Sequence, residues 1–257
     1  MIRAVTTPAR QSGGELLAST AAAEREAERL RDRLAAIEEE QATLEAELAV
    51  FNADYMREVV TVLAELHELE ARIAGLVAKR SGTDEDKRAA RSARARARET
   101  TAAVKAIPKT PGPLPTGDLK KLFREAAKRM HPDLAPDDDT RRHAEAFMKR
   151  LNQAFAASDA QAIVDLVRQW ESSPYATGPV GEDLETARAA RRVSALQAAV
   201  DRAQARLDEV RGSDLAGMME RAMAAAASGT DLLAEWRASS EAALAAARKR
   251  LAELQAA

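Results

Sequence analysis

The sequence predicts an all-α protein, with a long N-terminal coiled coil, a small helical domain and a C-terminal helical hairpin or bundle. Hydrophobic residues make up 46% of the 257 residues, but aromatic residues only 3%. Most of the hydrophobic residues are alanines, which fill little core volume and favour long helices. The charged residues, 31% of the chain, leave a net charge of only −2, as expected for the interspersed charges of helix surfaces.

A heptad seam runs through the first half of residues 15–106, which we predict to be a coiled-coil and helical region. Hydrophobic or core-compatible residues recur there at alternating steps of four and three, namely Leu30, Leu34, Ile37, Gln41, Leu44, Leu48, Phe51 and Tyr55. The next seam residue is Val59, and two four-residue steps in succession form a stutter, which locally unwinds a supercoil. Because a single helix cannot bury such a seam, we expect a partner helix from this chain or from a second copy.

Two segments rich in proline and glycine divide the chain. The stretch "IPKTPGPLPTGD" contains four prolines, and "SSPYATGPVGED" has a similar composition. Neither favours a continuous helix. The predicted divisions are a flexible tail at 1–14, the coiled-coil region at 15–106, a linker at 107–117, a small helical domain at 118–171, a second linker at 172–183 and a C-terminal helical region at 184–257.

A His131-Pro132-Asp133 tripeptide lies between two amphipathic helices. Pro132 cannot continue the preceding helix, and it disfavours the helical conformation at His131. The apolar face before the tripeptide consists of Leu119, Leu122, Phe123, Ala126 and Met130, and the face after it of Ala144, Phe147, Met148, Leu151 and Phe155. The two helices are predicted to pack as an antiparallel pair, with Met130 and the phenylalanines in the core and the tripeptide exposed at the connecting tip.

Cations cover much of the opposite side of the helix before the tripeptide. We call this set the basic face, and it consists of Lys120, Lys121, Arg124, Lys128 and Arg129. Lys121, Arg124 and Lys128 are spaced by three and four residues, so they form one stripe along a helix.

These residues resemble the J domain of DnaJ-type co-chaperones over about residues 118–157. "LKKLFREAAKRMHPD" is similar to the family's basic second helix and its tripeptide, with an aromatic at Phe123. "AEAFMKRLNQAF" is similar to the third helix, in which an asparagine precedes an aromatic by three residues, here Asn152 and Phe155. The family's first helix is not recognisable, because the proline-rich linker takes its place. Neither a Gly/Phe-rich segment nor zinc-binding cysteines are present.

The resemblance implies a co-chaperone that is not an enzyme and needs no cofactor. A J domain docks on a DnaK-type chaperone and stimulates ATP hydrolysis by that partner. The residues implied in this contact are His131, Pro132, Asp133, Lys120, Lys121, Arg124, Lys128, Arg129 and Asn152. The coiled coils would then select an unidentified client protein or a location. The rival interpretation is a coiled-coil scaffold or adaptor whose J-like unit is not functional, and the missing first helix favours this rival.

The remaining features predict a cytoplasmic protein without a metal site or a membrane anchor. The chain has no cysteine, its N-terminal residues lack the apolar run of a signal peptide, and no apolar stretch is long enough to span a bilayer. The three histidines, His67, His131 and His143, match no metal-ligand spacing.

A second basic stripe, made of Lys87, Arg91, Arg94 and Arg98, leaves nucleic-acid binding as a third hypothesis. No aromatic residues accompany it that could stack on bases, so a solvated or internally paired helix face is favoured. Nucleic-acid binding would predict an affinity that falls steeply with salt.

Overall fold

In the computed structural model the protein is all-α, as the sequence predicts. The structure describes residues 9–106, 113–135, 137–173, 175 and 185–256, with side chains described from residue 20 in the first range and from residue 192 in the last. These ranges contain no β-strand. Their α-helices are α1 (Ala9–Tyr55), α2 (Thr61–Ser81), α3 (Asp84–Lys105), α4 (Gly117–Met130), α5 (Asp138–Ala156), α6 (Ala160–Glu171), α7 (Glu185–Arg211), α8 (Asp214–Ala227) and α9 (Leu232–Ala256).

The predicted stutter coincides with a change of helix type. A π-helical turn, Met56–Val60, directly follows α1 and directly precedes α2. A π turn takes up more residues than an α turn, so it shifts the phase of the seam without breaking the helix. At its other end, α1 begins at Ala9, before the predicted helix start at Glu15.

Side-chain oxygens cap two helix starts in the small domain. Thr116 caps α4, and its hydroxyl accepts the N–H of Leu119 at 3.3 Å. Asp137 caps α5, and its carboxylate accepts the N–H of Thr140 at 2.7 Å. Either cap satisfies a donor that the first helical turn leaves unpaired.

Contacts divide the chain into two compact units, each built from separate stretches of sequence. The first comprises Met1–Ala46 and Gly112–Gly212, and the second comprises Glu47–Pro111 and Ser213–Ala257. Residues 1–8 of the predicted tail, and most of the predicted linkers at 107–117 and 172–183, lie outside the described residues, so those boundaries stay predictions. No helix within the described ranges is both long enough and apolar enough to cross a membrane.

The described residues of the first unit form two apolar cores, and α1 contributes to both. One core joins α4, α5 and α6, with Ala35 of α1 packed into it. The other joins α1 to α7 and consists of Ala27, Leu30, Leu34 and Ile37 together with Leu196, Ala199, Val200, Ala203 and Leu207. The N-terminal part of the predicted seam is therefore buried against a helix of the same chain.

The second unit is built around α2, which packs against α3 and α9. The buried residues of α3 are Ala90 and Ala97, so the arginines of this helix lie outside its buried face. Tyr55 meets Trp236 edge to face, with ring centroids 6.1 Å apart. A cleft of about 570 Å³, half of whose lining residues are alanines, lies among α2, α3 and α9.

Candidate functional site

The tripeptide lies between two helices that share a fully buried aromatic pair. Phe123 of α4 and Phe155 of α5 are 0% and 1% exposed, and their ring centroids are 4.6 Å apart. Met130, the last residue of α4, is also buried. Leu122 is a correction to the predicted apolar face, because 37% of it is exposed. Adjacent residues of a helix point in different directions, and the core contacts the side of α4 that carries Phe123, so Leu122 is left partly outside it.

The tripeptide folds into a short turn that its own histidine organises. Residues Pro132–Leu134 form a 3₁₀ turn. The Nδ1 atom of His131 accepts the backbone N–H of Asp133 at 3.1 Å, and the carbonyl of His131 accepts the N–H of Leu134 at 3.0 Å. Because Nδ1 is an acceptor here, the ring proton is assigned to Nε2, which is left to donate outward from the turn.

His131 is buried, which corrects the prediction of an exposed tip. Only 5% of the residue is exposed. Its Nε2 donates to the carboxylate of Glu38 in α1 at 3.2 Å, and Arg206 of α7 donates to the same oxygen at 2.6 Å. The prediction failed because it considered only the two helices that flank the tripeptide, whereas α1 and α7 pack over it.

Asp133 and Leu134 also contact the α1–α7 pair. The Asp133 carboxylate accepts a hydrogen bond from Arg202 of α7 at 2.8 Å, and its side chain is 25% exposed. Leu134 packs against the apolar core that joins α1 to α7. The turn is therefore held from outside by an ion pair and by apolar contact.

The basic face is divided between paired and unpaired cations. Lys128 binds Glu28 at 2.5 Å and Asp32 at 2.8 Å, both on α1. Arg124 binds Glu39 of α1 at 2.6 Å. Arg129 binds Glu171 of α6 at 2.5 Å.

The other predicted docking residues lie at the accessible side of α4 and on α5. Lys121 and Asn152 are exposed and Lys120 is half-buried. Within the described residues these three side chains make no ion pair and no side-chain hydrogen bond. The structure therefore brings His131, Pro132, Asp133, Arg124 and Lys128 together beneath α1 and α7, and leaves Lys120, Lys121 and Asn152 outside that contact.

The titration of three residues reflects these contacts. Hydrogen bonds to Asp32 and Glu28 raise the pKa of Lys128 above its usual value. The hydrogen bond from Lys128, with a further one from Arg31, lowers the pKa of Glu28. Burial raises the pKa of Glu38, but the hydrogen bond from His131 and the charge of Arg206 outweigh burial and hold that pKa below its usual value.

The lowered pKa of Glu38 predicts an acid-sensitive first unit. Because the folded-state pKa lies below the unfolded value of 4.5, ionised Glu38 stabilises the fold above that pH, and the contribution is lost as the pH falls through the folded-state pKa. On acidification from about pH 6 to about pH 3, we expect the free energy of unfolding to fall less for Glu38→Gln than for the unmodified protein. Urea unfolding at each pH measures this difference. Glu26→Gln is the control and should follow the unmodified protein. Identical pH profiles for Glu38→Gln and the unmodified protein would contradict this role.

The remaining histidines and the second basic stripe have separate surroundings. His143 stacks on Tyr175 with ring centroids 3.9 Å apart, and the Nδ1 of His67 is 2.8 Å from the Thr100 hydroxyl. On α3, Arg91, Arg94 and Arg98 are exposed. Nucleic-acid binding by this stripe stays an untested prediction.

Sequence reasoning missed Glu38 and Arg202, which contact the tripeptide from outside, and Arg206, which contacts Glu38. Glu38 directly follows the seam residue Ile37, and Arg202 and Arg206 lie one helical turn apart on α7. Such charges commonly flank a helical seam. The spacing of Arg202 and Arg206 indicated one stripe, but nothing in the sequence indicated that it faces the tripeptide.

Comparison with known proteins gives no match for this chain, whether with protein-family models, curated proteins or solved structures. The resemblance to the J domain therefore depends on the residues between 118 and 157 alone.

Proposed function

We propose that this protein is a J-domain co-chaperone, which recruits a DnaK-type chaperone and stimulates its ATP hydrolysis. The observation that carries the proposal is the Asp133 carboxylate. It lies in a short hydrogen-bonded turn beside a basic helix and accepts a hydrogen bond from a guanidinium group, that of Arg202. A carboxylate held in this way is suited to bind an arginine of a partner protein, because arginine–carboxylate pairs are strong and directional.

The other residues of the turn and the basic face support docking in different ways. Pro132 restricts the turn, so little conformational entropy is lost when a partner binds. Lys120 and Lys121 attract an acidic surface and increase the rate of encounter. None of these groups needs to make or break a covalent bond. In this proposal the chain is not an enzyme, and ATP hydrolysis takes place in the partner.

The coiled-coil regions complete the proposal by selecting a client protein or a location in the cytoplasm. The helix α1 alone spans Ala9–Tyr55. Long helices of this kind present extended surfaces for other proteins or for a second copy of the chain.

A scaffold or adaptor function is the second candidate, and one observation favours it. His131 is buried, and Asp133, Lys128 and Arg124 all have partners within the chain. A tripeptide that serves only to connect packed helices would have such surroundings. The two candidates differ in whether Asp133 acts on a partner protein.

Single-turnover ATP hydrolysis by a DnaK-type chaperone from the same cell tests the proposal. We expect the full-length protein to increase the hydrolysis rate and Asp133→Asn to abolish the increase, because the amide loses the charge that pairs with arginine. The matched control is Asp139→Asn, which changes an exposed carboxylate outside the tripeptide and should leave the stimulation intact. Stimulation that is unchanged in Asp133→Asn would contradict the proposed role of the tripeptide.

A further inference from the structure

The proposed docking site is already occupied by other parts of the same unit. Four acidic residues of α1 and Arg202 of α7 contact the tripeptide or the basic face, and Arg206 of α7 contacts Glu38, one of those acidic residues. We call this set the α1–α7 cover, and it consists of Glu28, Asp32, Glu38, Glu39, Arg202 and Arg206. Every contact in it lies within the first compact unit.

We propose that the α1–α7 cover competes with the chaperone for the tripeptide and the basic face, so that docking requires its displacement. This inference rests on the proposed function, and it adds regulation of the same site by an autoinhibitory contact. The cover takes up the groups on which docking depends. Arg202 occupies the carboxylate of Asp133, and the acidic residues of α1 occupy Lys128 and Arg124.

The chemistry of the cover matches what a partner surface would have to supply. A partner that binds the basic face must present carboxylates, and one that binds Asp133 must present a guanidinium or another cation. The cover offers both in one arrangement, with carboxylates from α1 and guanidinium groups from α7. A partner and the cover therefore cannot both satisfy the same atoms of Asp133 and Lys128.

The polar part of the cover is suited to being displaced. The side chains of Glu28, Asp32 and Arg202 are 50%, 62% and 55% exposed. Exposed ion pairs contribute little to stability, because water and salt replace them at low cost. A partner with a larger contact surface can therefore replace these pairs without unfolding the cores beneath them.

Part of α1 has a structural role that must be separated from autoinhibition. Ala35 packs into the core of α4, α5 and α6, and the Glu38 carboxylate is nearly enclosed. Variants at those positions would disturb the fold itself. Glu28, Asp32 and Arg202 are the positions at which the cover can be weakened while both apolar cores remain intact.

The test compares the unmodified protein with a triple charge reversal, Glu28→Lys, Asp32→Lys and Arg202→Glu, in the full chain. The two new lysines on α1 face Lys128, and the new glutamate on α7 faces Asp133, so each ion pair becomes a repulsion between like charges. Every predicted docking residue is left unaltered. The matched control is Glu24→Lys, Glu45→Lys and Arg192→Glu, which makes the same charge changes at exposed positions of the same two helices. Unfolding curves verify that both variants are folded.

We expect the charge reversal to lower the concentration that half-maximally stimulates ATP hydrolysis by about three- to tenfold, because a larger fraction of molecules is competent to bind. The milder pair Glu28→Gln and Asp32→Asn should shift it less, and the control should not shift it. Hydrogen exchange at the backbone N–H groups of Asp133 and Leu134 should become faster in the charge reversal, since the turn loses its outer contacts.

Two outcomes separate this inference from the proposed function. Equal half-maximal concentrations for the unmodified protein and the charge reversal, with stimulation that still requires Asp133, would overturn autoinhibition and leave the co-chaperone function standing. Absence of stimulation by both proteins would overturn the co-chaperone function, and autoinhibition together with it.

Discussion

Replacement of Phe123 by alanine is expected to destabilise the first unit by about 3–5 kcal/mol, the usual range for deleting a buried aromatic ring. The Phe123 side chain is fully enclosed and packs against Phe155 at 4.6 Å between ring centroids. Both rings lie at the centre of the core that joins α4, α5 and α6. Removing one leaves a cavity that helices already fixed by their other contacts can fill only in part.

Tryptophan fluorescence can measure this loss for the first unit alone. The chain has two tryptophans, of which Trp170 belongs to the affected core and Trp236 to the second unit. In a Trp236→Phe background, urea unfolding followed by Trp170 reports the first unit. Leu122→Ala is the control, since Leu122 is the exposed neighbour of Phe123, and it should change the stability by no more than about 0.5 kcal/mol. Similar losses from both substitutions would contradict the assignment of the core.

Glu38→Ala is expected to cost about 1–3 kcal/mol, the range for leaving a buried polar partner without its hydrogen bond. The substitution removes the acceptor of both His131 and Arg206. His131 is nearly enclosed, so its ring N–H cannot form a replacement hydrogen bond with water. The Arg206 side chain is 45% exposed and can form one. The loss therefore arises mainly at His131.

The same Trp170 fluorescence experiment measures the effect of Glu38→Ala. Glu26→Ala is a suitable control, because Glu26 makes an exposed ion pair with Arg29 on the same helix, and it should cost no more than about 1 kcal/mol. We also expect Glu38→Ala to accelerate hydrogen exchange at the tripeptide more than Glu26→Ala does. Equal losses of stability and equal exchange rates in the two variants would contradict an anchoring role for Glu38.

The helical class and the apolar faces of the small domain were predictable because they depend on local spacing. Phe123, Met130 and Phe155 lie at positions where helical periodicity placed them inside. The stutter after Tyr55 likewise indicated where the helix changes, and a π-helical turn occupies that position. Each of these features follows from residues within a few turns of one another.

The environment of the tripeptide was not predictable, because it depends on contacts between distant parts of the chain. Glu38, His131 and Arg206 come from three segments far apart in the sequence, and they meet only when α1 and α7 pack over the turn. Heptad patterns indicate that a helix needs a partner, but they do not specify which of several alanine-rich helices that partner is. The choice of α7 as the partner of α1 is therefore a property of the whole fold.

The central claim is that Asp133 activates a DnaK-type chaperone once the α1–α7 cover is weakened. The most direct measurement is single-turnover ATP hydrolysis by that chaperone with the triple charge reversal, Glu28→Lys, Asp32→Lys and Arg202→Glu, carrying either Asp133 or Asp133→Asn. We predict a hydrolysis rate that rises with the concentration of the protein that retains Asp133, and a basal rate with Asp133→Asn. A basal rate with both proteins, when both are folded and their tripeptide N–H groups exchange rapidly, would contradict the claim and favour the scaffold.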